Sequence, residues 1–131
     1  MIVSLHVASG AAAGSLLRSR LAALALGPVL HLAGDVVPHR DFESREFETA
    51  SGLVALGLVA AVRGPLSPAT ICAAAASAPD LEHVLAIPRP DGRKLFPSHR
   101  FPGLHREGGI PAPVQLAAAL FLLGFATRRL S

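Results

Sequence analysis

Long apolar segments rich in Ala and Leu alternate along this chain with short stretches of Arg, Pro, Gly and acidic residues. Within a segment the apolar positions do not alternate with polar ones, as they would in a half-buried strand, and runs of β-branched residues are few. Ala and Leu are strong helix formers, so each segment is predicted to be a helix. The five predicted helices cover residues 3–17, 21–37, 50–62, 68–87 and 110–126.

Short connections between consecutive helices favour an up-and-down arrangement. Two connections are longer: 38–49 is charged, and 88–109 is rich in Pro, Arg and Gly. The length of 131 residues suits one domain with a core of its own. Residues 1–131 are therefore predicted to form a single all-α domain, an up-and-down bundle of about five helices.

The composition favours a membrane-embedded bundle. Hydrophobic residues make up 51% of the chain and charged residues only 16%, with a mean hydropathy of +0.49. A membrane-spanning helix needs about 20 apolar residues, and several segments are shorter. A multi-pass membrane protein in contact with lipid is the favoured prediction, and a soluble cytoplasmic bundle with an apolar core is the alternative. Basic residues are not interleaved with aromatic ones, so nucleic-acid binding is not expected.

An up-and-down bundle separates the ionisable residues by end. One end receives arginines without histidines or acids: Arg18, Arg20, Arg63, Arg128 and Arg129. The other end receives all six histidines and all nine acidic residues. The alternation of helix direction therefore gathers residues that lie far apart in the sequence into one polar region.

The segment HLAGDVVPHRD places four ligand-type side chains at the end of an apolar helix. His31 and Asp35 are four residues apart and so share a helix face. Pro38 ends or kinks the helix, which leaves His39 and Asp41 free to turn toward that face. A solvated helix end is the alternative for the last two. His31 and Asp35 lie within apolar sequence, where polar groups must be paired or functional.

Two further segments add donors to this end. In APDLEH, Asp80 and His83 share a helix face, and FPSHRFPGLHR carries His99 and His105. Each pair alone would suit a cap or an exposed surface. Together, imidazole and carboxylate form the mixed set that Zn²⁺ and related transition ions use, with one position open in catalytic sites. One or two zinc ions are predicted, with the ligands His6, His31, Asp35, His39, Asp80, His83, His99 and His105.

This ligand set favours hydrolysis of a phosphoester. Two neighbouring ions can activate water and stabilise both oxygens of the displacement. Asp41 is the favoured general base, and Glu82 is the second choice. Arg100 and Arg106 can hold an anionic substrate group bidentately, although an exposed position is equally compatible with their sequence. The predicted substrate is a small phosphorylated molecule that can be lipid-linked.

The same segments resemble a family of small bacterial, usually membrane-embedded, predicted metal-dependent hydrolases. SLHVASGAAAG resembles the Thr-His start of that family, and LHLAGDVVPHRDF resembles its His-x3-Asp-x2-Pro-His-x-Asp block. APDLEHVL and PSHRFPGLHR are similar to its two later blocks, in the same order along the chain. The family is distantly similar to the all-helical zinc-dependent phospholipase C and single-strand nuclease group.

The resemblance implies a helical fold, a place in the bacterial inner membrane and a set of metal ligands: His6, His31, Asp35, His39, Asp80, His83 and His105. The chain departs from the family pattern where Leu5 precedes His6 and where Glu82 replaces an Asp. The alternative to a hydrolase is a non-enzymatic, helical metal-binding or scaffolding membrane protein. A metal site with an open position favours the enzyme, and a site closed by four protein ligands favours the alternative.

Overall fold

The computed structural model describes residues 1–89 and 91–128, in which helices are the main regular structure and no strand occurs. The all-α prediction is therefore confirmed. Two one-turn helices and a 3₁₀ turn, Ala78–Asp80, lie between the fourth long helix and the last. The helices are α1 (Val3–Ser15), α2 (Arg20–Val36), α3 (Arg45–Arg63), α4 (Pro68–Ser77), α5 (Leu81–Val84), α6 (Pro97–Arg100) and α7 (Ala112–Thr127).

Helix α3 begins five residues before the predicted start at residue 50. Ser44 is its N-cap, and the Ser44 side chain accepts a hydrogen bond from the Phe47 backbone N–H. Glu46 and Glu48 lie in the first turn, where negative charge is favourable. Apolar periodicity misses such a polar first turn, because the turn is stabilised by its cap and charges rather than by burial.

The predicted helix over 68–87 is broken near its middle. Helix α4 ends at Ser77, a 3₁₀ turn follows, and α5 ends at Val84. Pro79 lies in that turn, and its ring has no N–H to continue an α-helical hydrogen-bond ladder. The break places Asp80 and His83 on short turns at the end of α4 rather than along one straight helix.

Helix α1 is the centre of the bundle and packs against α3, α4 and α7. Its contact with α4 depends on glycine. A Cβ atom added at Gly10 would lie 2.7 Å from the Cys72 carbonyl oxygen, and one at Gly14 would lie 2.5 Å from the Pro68 carbonyl oxygen. The two backbones therefore approach more closely than any side chain at these positions would allow. This close approach brings the start of α1, with His6, next to the end of α4.

The prediction of a multi-pass protein of the bacterial inner membrane is wrong. Within residues 1–89 and 91–128, no helix is both long enough and apolar enough to cross a bilayer. Helices α1, α2, α4 and α7 have 13, 17, 10 and 16 residues. Helix α3 has 19 residues but begins with Arg45 and two glutamates. Arg129, which was predicted at the arginine end of the bundle, lies outside the described residues.

Candidate metal centre

Asp35 is the centre of the polar cluster. It lies in the last turn of α2, and its side chain is 1% exposed. Its Oδ1 lies 3.2 Å from Nε2 of His6, which comes from α1. Its Oδ2 lies 3.1 Å from Nε2 of His31, one turn earlier on α2, and 3.4 Å from Nε2 of His99 on α6. One carboxylate is therefore shared among imidazoles from three helices.

Three further groups complete the surroundings of Asp35. The Met1 N-terminal ammonium donates a hydrogen bond to Oδ1 at 3.0 Å and also contacts Nε2 of His39. The Ser98 hydroxyl donates a hydrogen bond to Oδ2 at 2.7 Å, and Nδ1 of His105 lies 3.6 Å from the same oxygen. Burial opposes ionisation of Asp35, but the hydrogen bonds from His105, His31 and the other imidazoles outweigh it and hold its pKa well below the usual range. Asp35 is therefore a carboxylate at neutral pH.

Three imidazole rings are fixed by hydrogen bonds on their outer nitrogens. Nδ1 of His31 lies 2.7 Å from the Ala76 carbonyl oxygen, and Nδ1 of His39 lies 2.6 Å from the Val37 carbonyl oxygen. Nδ1 of His99 lies 2.6 Å from Oε1 of Glu82. Oxygen acceptors face each Nδ1, so when the imidazole is neutral with its proton on Nδ1, Nε2 presents a lone pair to the cluster. Metal-binding histidines are commonly held in this way.

The inner atoms of His31, His99 and Asp35 form a nearly equilateral triangle. The two Nε2 atoms are 3.2 Å apart, and they lie 3.1 Å and 3.4 Å from Oδ2 of Asp35. Ligand atoms about 2.0–2.1 Å from a tetrahedral ion lie about 3.3–3.4 Å from one another. The three atoms therefore have the spacing of three ligands on one such ion.

Asp80 and His6 lie against the same triangle and carry buried atoms with unmet hydrogen-bonding capacity. Oδ1 of Asp80 lies 3.8 Å from Nε2 of His31 and 3.7 Å from Nε2 of His99. Within the described residues, Oδ2 of Asp80 and Nδ1 of His6 have no hydrogen-bond partner. Burial raises the pKa of Asp80 to about 6 and lowers the pKa of His6 to about 3. His6 is therefore neutral, as a ligand must be.

A second group of ligand atoms lies on the other side of Asp35. Asp35, His39 and His105 each offer one ligand atom, and these three atoms lie within 4.8 Å of one another. Asp41 joins them, with Oδ1 3.5 Å from Nε2 of His39 and Oδ2 3.7 Å from Nε2 of His105. Hydrogen bonds to Asp35 and Asp41 raise the pKa of His105 to about 9.

Backbone hydrogen bonds join the loop after α2 to the loop before α7. The backbone N–H of His39 donates to the Arg106 carbonyl oxygen, and the backbone N–H of Arg106 donates to the Asp35 carbonyl oxygen. The loop after α2 and the loop before α7 are therefore fixed to each other beside Asp35.

His83 completes a third group with Asp80 and His99. Burial, the most important cause, lowers the pKa of His83 to about 4. Nζ of Lys94 lies 2.7 Å from Nδ1 of His83. With this group, all eight predicted metal ligands lie in one cluster.

A groove of about 860 Å³ opens beside the cluster. Four of the ligand-type residues line it, namely Asp80, His83, His99 and His105. The general-base candidate Asp41 and the substrate-binding candidate Arg100 line it as well. Arg106 and Glu82 are not among its lining residues.

Glu82, the second candidate base, is engaged elsewhere. Its side chain is 4% exposed, Oε2 accepts a hydrogen bond from the Leu95 backbone N–H at 2.6 Å, and Oε1 accepts one from His99. The Phe96 backbone N–H lies 3.3 Å from Oε1. These contacts make Glu82 a residue that orients His99.

Three polar contributors were not predicted from the sequence, namely the Met1 ammonium, Ser98 and Lys94. Ser98 precedes His99 in an exposed-looking Pro-rich segment, and only the one-turn helix α6 directs its hydroxyl to Asp35. Lys94 reaches His83 from a loop that lacks periodicity. A search for polar residues flanking each histidine would have found Ser98 but not Lys94.

Comparisons of the chain with protein-family models, with curated proteins and with solved structures find no match. The resemblance carried by the short motifs therefore stays a prediction.

Proposed function

We propose that this protein is a metal-dependent hydrolase that cleaves phosphoesters. The observation that carries the proposal is the triangle of His31, His99 and Asp35, whose edges match the ligand spacing of a tetrahedral ion. The fourth position is available to water or substrate. Zinc is the ion that we propose, because the donors are imidazole nitrogens and carboxylate oxygens.

The protonation pattern supports a cation at this position. If Nδ1 carries the proton in His31 and His99, both Nε2 atoms and the Asp35 carboxylate present lone pairs to one another over 3.1–3.4 Å. Such an arrangement is unfavourable in a buried site unless a proton or a metal ion lies between the acceptors.

Asp35, His39 and His105 form the group that could hold a second ion. That ion would have to displace the Met1 ammonium, which donates to Oδ1 of Asp35 at 3.0 Å, and the proton of His105, whose pKa is raised to about 9. When bound, the ions would supply Lewis-acid activation of water and stabilisation of phosphoryl oxygens.

Asp41 is the residue proposed to take the proton from the attacking water. It is 37% exposed, lines the groove and lies beside His39 and His105. Burial raises the pKa of Asp41, but the hydrogen bond from His105 and the charges of the Met1 ammonium and His39 more than offset this, so the net effect is a lowered pKa. Asp41 is therefore ionised at neutral pH and can accept a proton where the groove meets the ligands.

The activity is tested with the zinc-loaded protein and bis(p-nitrophenyl) phosphate. We expect release of p-nitrophenol that a chelator abolishes and added zinc restores. Asp41→Asn should lower kcat by about 100-fold or more, the effect typical of a general base, and should leave the zinc held by His31, His99 and Asp35 in place. Glu43→Gln, at an exposed position of the same region, is the matched control.

The non-enzymatic alternative predicts a different result. If the protein binds one equivalent of zinc through four protein ligands, as judged by X-ray absorption, and shows no turnover, the non-enzymatic alternative is correct. Asp80 is the residue that would close the site in that case, since its Oδ1 lies 3.7–3.8 Å from the two Nε2 atoms.

Glu82→Gln tests the orientation of His99. The substitution removes the charge that holds the His99 Nδ1 proton and places an amide against a backbone N–H. We expect zinc affinity to fall by about 10–100-fold, the usual effect of changing a partner of a metal-binding histidine, while helix content by circular dichroism stays the same. Glu43→Gln, in an exposed loop, should have no effect. Equal zinc affinity in the two variants would contradict the role of Glu82.

A further inference from the structure

One face of α3 forms a wall of the groove over three turns. The residues on this face follow helical spacing and change from polar to apolar along the helix: Arg45, Glu48, Thr49, Gly52, Leu53 and Leu56. At 1.5 Å per residue, the wall is about 16 Å long. Its polar end is near the metal ligands, because Glu48 hydrogen-bonds to Phe42, directly after Asp41.

The opposite wall of the groove also changes from polar to apolar with distance from the ligand cluster. Asp80 and His83 lie at the polar end, and Ala74 lies farther back along α4. Leu81 and Val84 of α5 add apolar surface, and both side chains are about half exposed. The groove therefore has a charged end beside the ligand cluster and an apolar channel that leads away from it.

The groove carries both signs of charge. Beside Met1 and three basic side chains, four carboxylates line it, namely Asp41, Glu48, Asp80 and Glu107. Arg45, Lys94 and Arg100 all line the groove. Lys94 is the nearest of these to a predicted ligand, since its Nζ lies 2.7 Å from His83. Arg100 is paired with Asp91, which leaves Lys94 and Arg45 as the two cations of the groove without a salt bridge among the described residues.

We infer that the groove binds an amphiphilic anion, with a phosphate-type head against Lys94 and Arg45 and an alkyl chain between α3 and Ala74. This inference rests on the proposed function, for which it names the substrate class: phosphoesters of a long-chain alcohol. A phosphate group can accept hydrogen bonds from both cations. The apolar part of the α3 wall, from Gly52 to Leu56, is about 6 Å long at 1.5 Å per residue, so the carbons next to the head pass polar positions and the following few lie against apolar side chains.

The test compares three ligands by isothermal titration calorimetry, below their micelle concentrations and with and without zinc. Decyl phosphate has both parts, butyl phosphate lacks the long chain, and decyltrimethylammonium has the chain with a positive head. Each buried methylene adds about fourfold to affinity. We therefore expect decyl phosphate to bind with 1:1 stoichiometry and at least about 50-fold more tightly than butyl phosphate or decyltrimethylammonium.

Two variants separate the head from the chain. Lys94→Gln should weaken decyl phosphate binding about tenfold, whereas Arg93→Gln, at the exposed neighbouring position, should not. Ala74→Leu fills the apolar channel and should reduce the preference for decyl over butyl phosphate. Unchanged binding in Lys94→Gln, or equal affinity for butyl and decyl phosphate, would overturn the inference. The zinc-free titrations make this result independent of metal binding, so a protein that binds decyl phosphate but no zinc would refute only the proposed function.

Discussion

Asp35→Ala is expected to lower zinc affinity by at least about 100-fold. Asp35 is the residue common to the ligand groups on both sides of the cluster, and its two oxygens face His6, His31, His99 and His105. Its removal takes one ligand from the triangle and the shared carboxylate from the second position. The loss therefore exceeds the 10–100-fold typical of residues that only support a ligand. Competition with a zinc-binding dye measures the affinity.

Glu43→Ala is the matched control, because it removes one carboxylate from an exposed loop of the same region. Zinc affinity in this variant should equal that of the unmodified protein. Asp35→Asn controls for misfolding of the alanine variant, since its amide oxygen can still accept the hydrogen bond from Ser98. If Asp35→Ala and Glu43→Ala bind zinc equally well, Asp35 is not a ligand.

Gly10→Ala is expected to reduce the free energy of unfolding by about 1–3 kcal/mol, the usual cost of overpacking. The added Cβ would lie 2.7 Å from the Cys72 carbonyl oxygen, 2.8 Å from Cα of Ala73 and 2.9 Å from Cβ of Ala76. None of these atoms is the far end of a flexible side chain. Helices α1 and α4 must therefore move apart, and urea denaturation followed by circular dichroism measures the change.

Gly57→Ala makes the same chemical change in a helix that has room for it. Apart from the neighbouring residues and the nearby backbone of α3, no atom lies within 4 Å of a Cβ added at Gly57. Alanine is favoured over glycine in a helix by about 1 kcal/mol, so this variant should be more stable than the unmodified protein. A stabilising effect at both positions would show that α1 and α4 do not approach as closely as described.

The shared face of His31 and Asp35 was predictable because helical spacing is a local property. Pro38 disfavours helix at the residue before it, and α2 ends at Val36, although Pro28 lies inside the same helix. The convergence of distant segments required one further assumption, the up-and-down order of helices. The structure places His6, Asp80 and His99 beside His31, which is the convergence that this order predicts.

Other features depend on tertiary contacts that the sequence does not display. The groove is formed jointly by α3, the end of α4 and the loop that carries Lys94, so no segment predicts it alone. The membrane prediction failed because overall hydropathy does not report the length of each apolar helix, and α1, α2, α4 and α7 are all shorter than the roughly 20 residues that a span needs. Gly10 and Gly14 allow α1 to bury its short apolar length against α4, without the length that a bilayer requires.

The hydrogen bonds to Asp35 join parts of the chain that are far apart, with separations of 29 residues to His6 and 63 residues to Ser98. An unfolded chain therefore has no preformed arrangement of these groups. An ion that binds only the assembled cluster adds its binding free energy to the free energy of folding. We expect the thermal stability of this protein to rise with the concentration of free zinc, so that metal supply would set how much of the chain is folded.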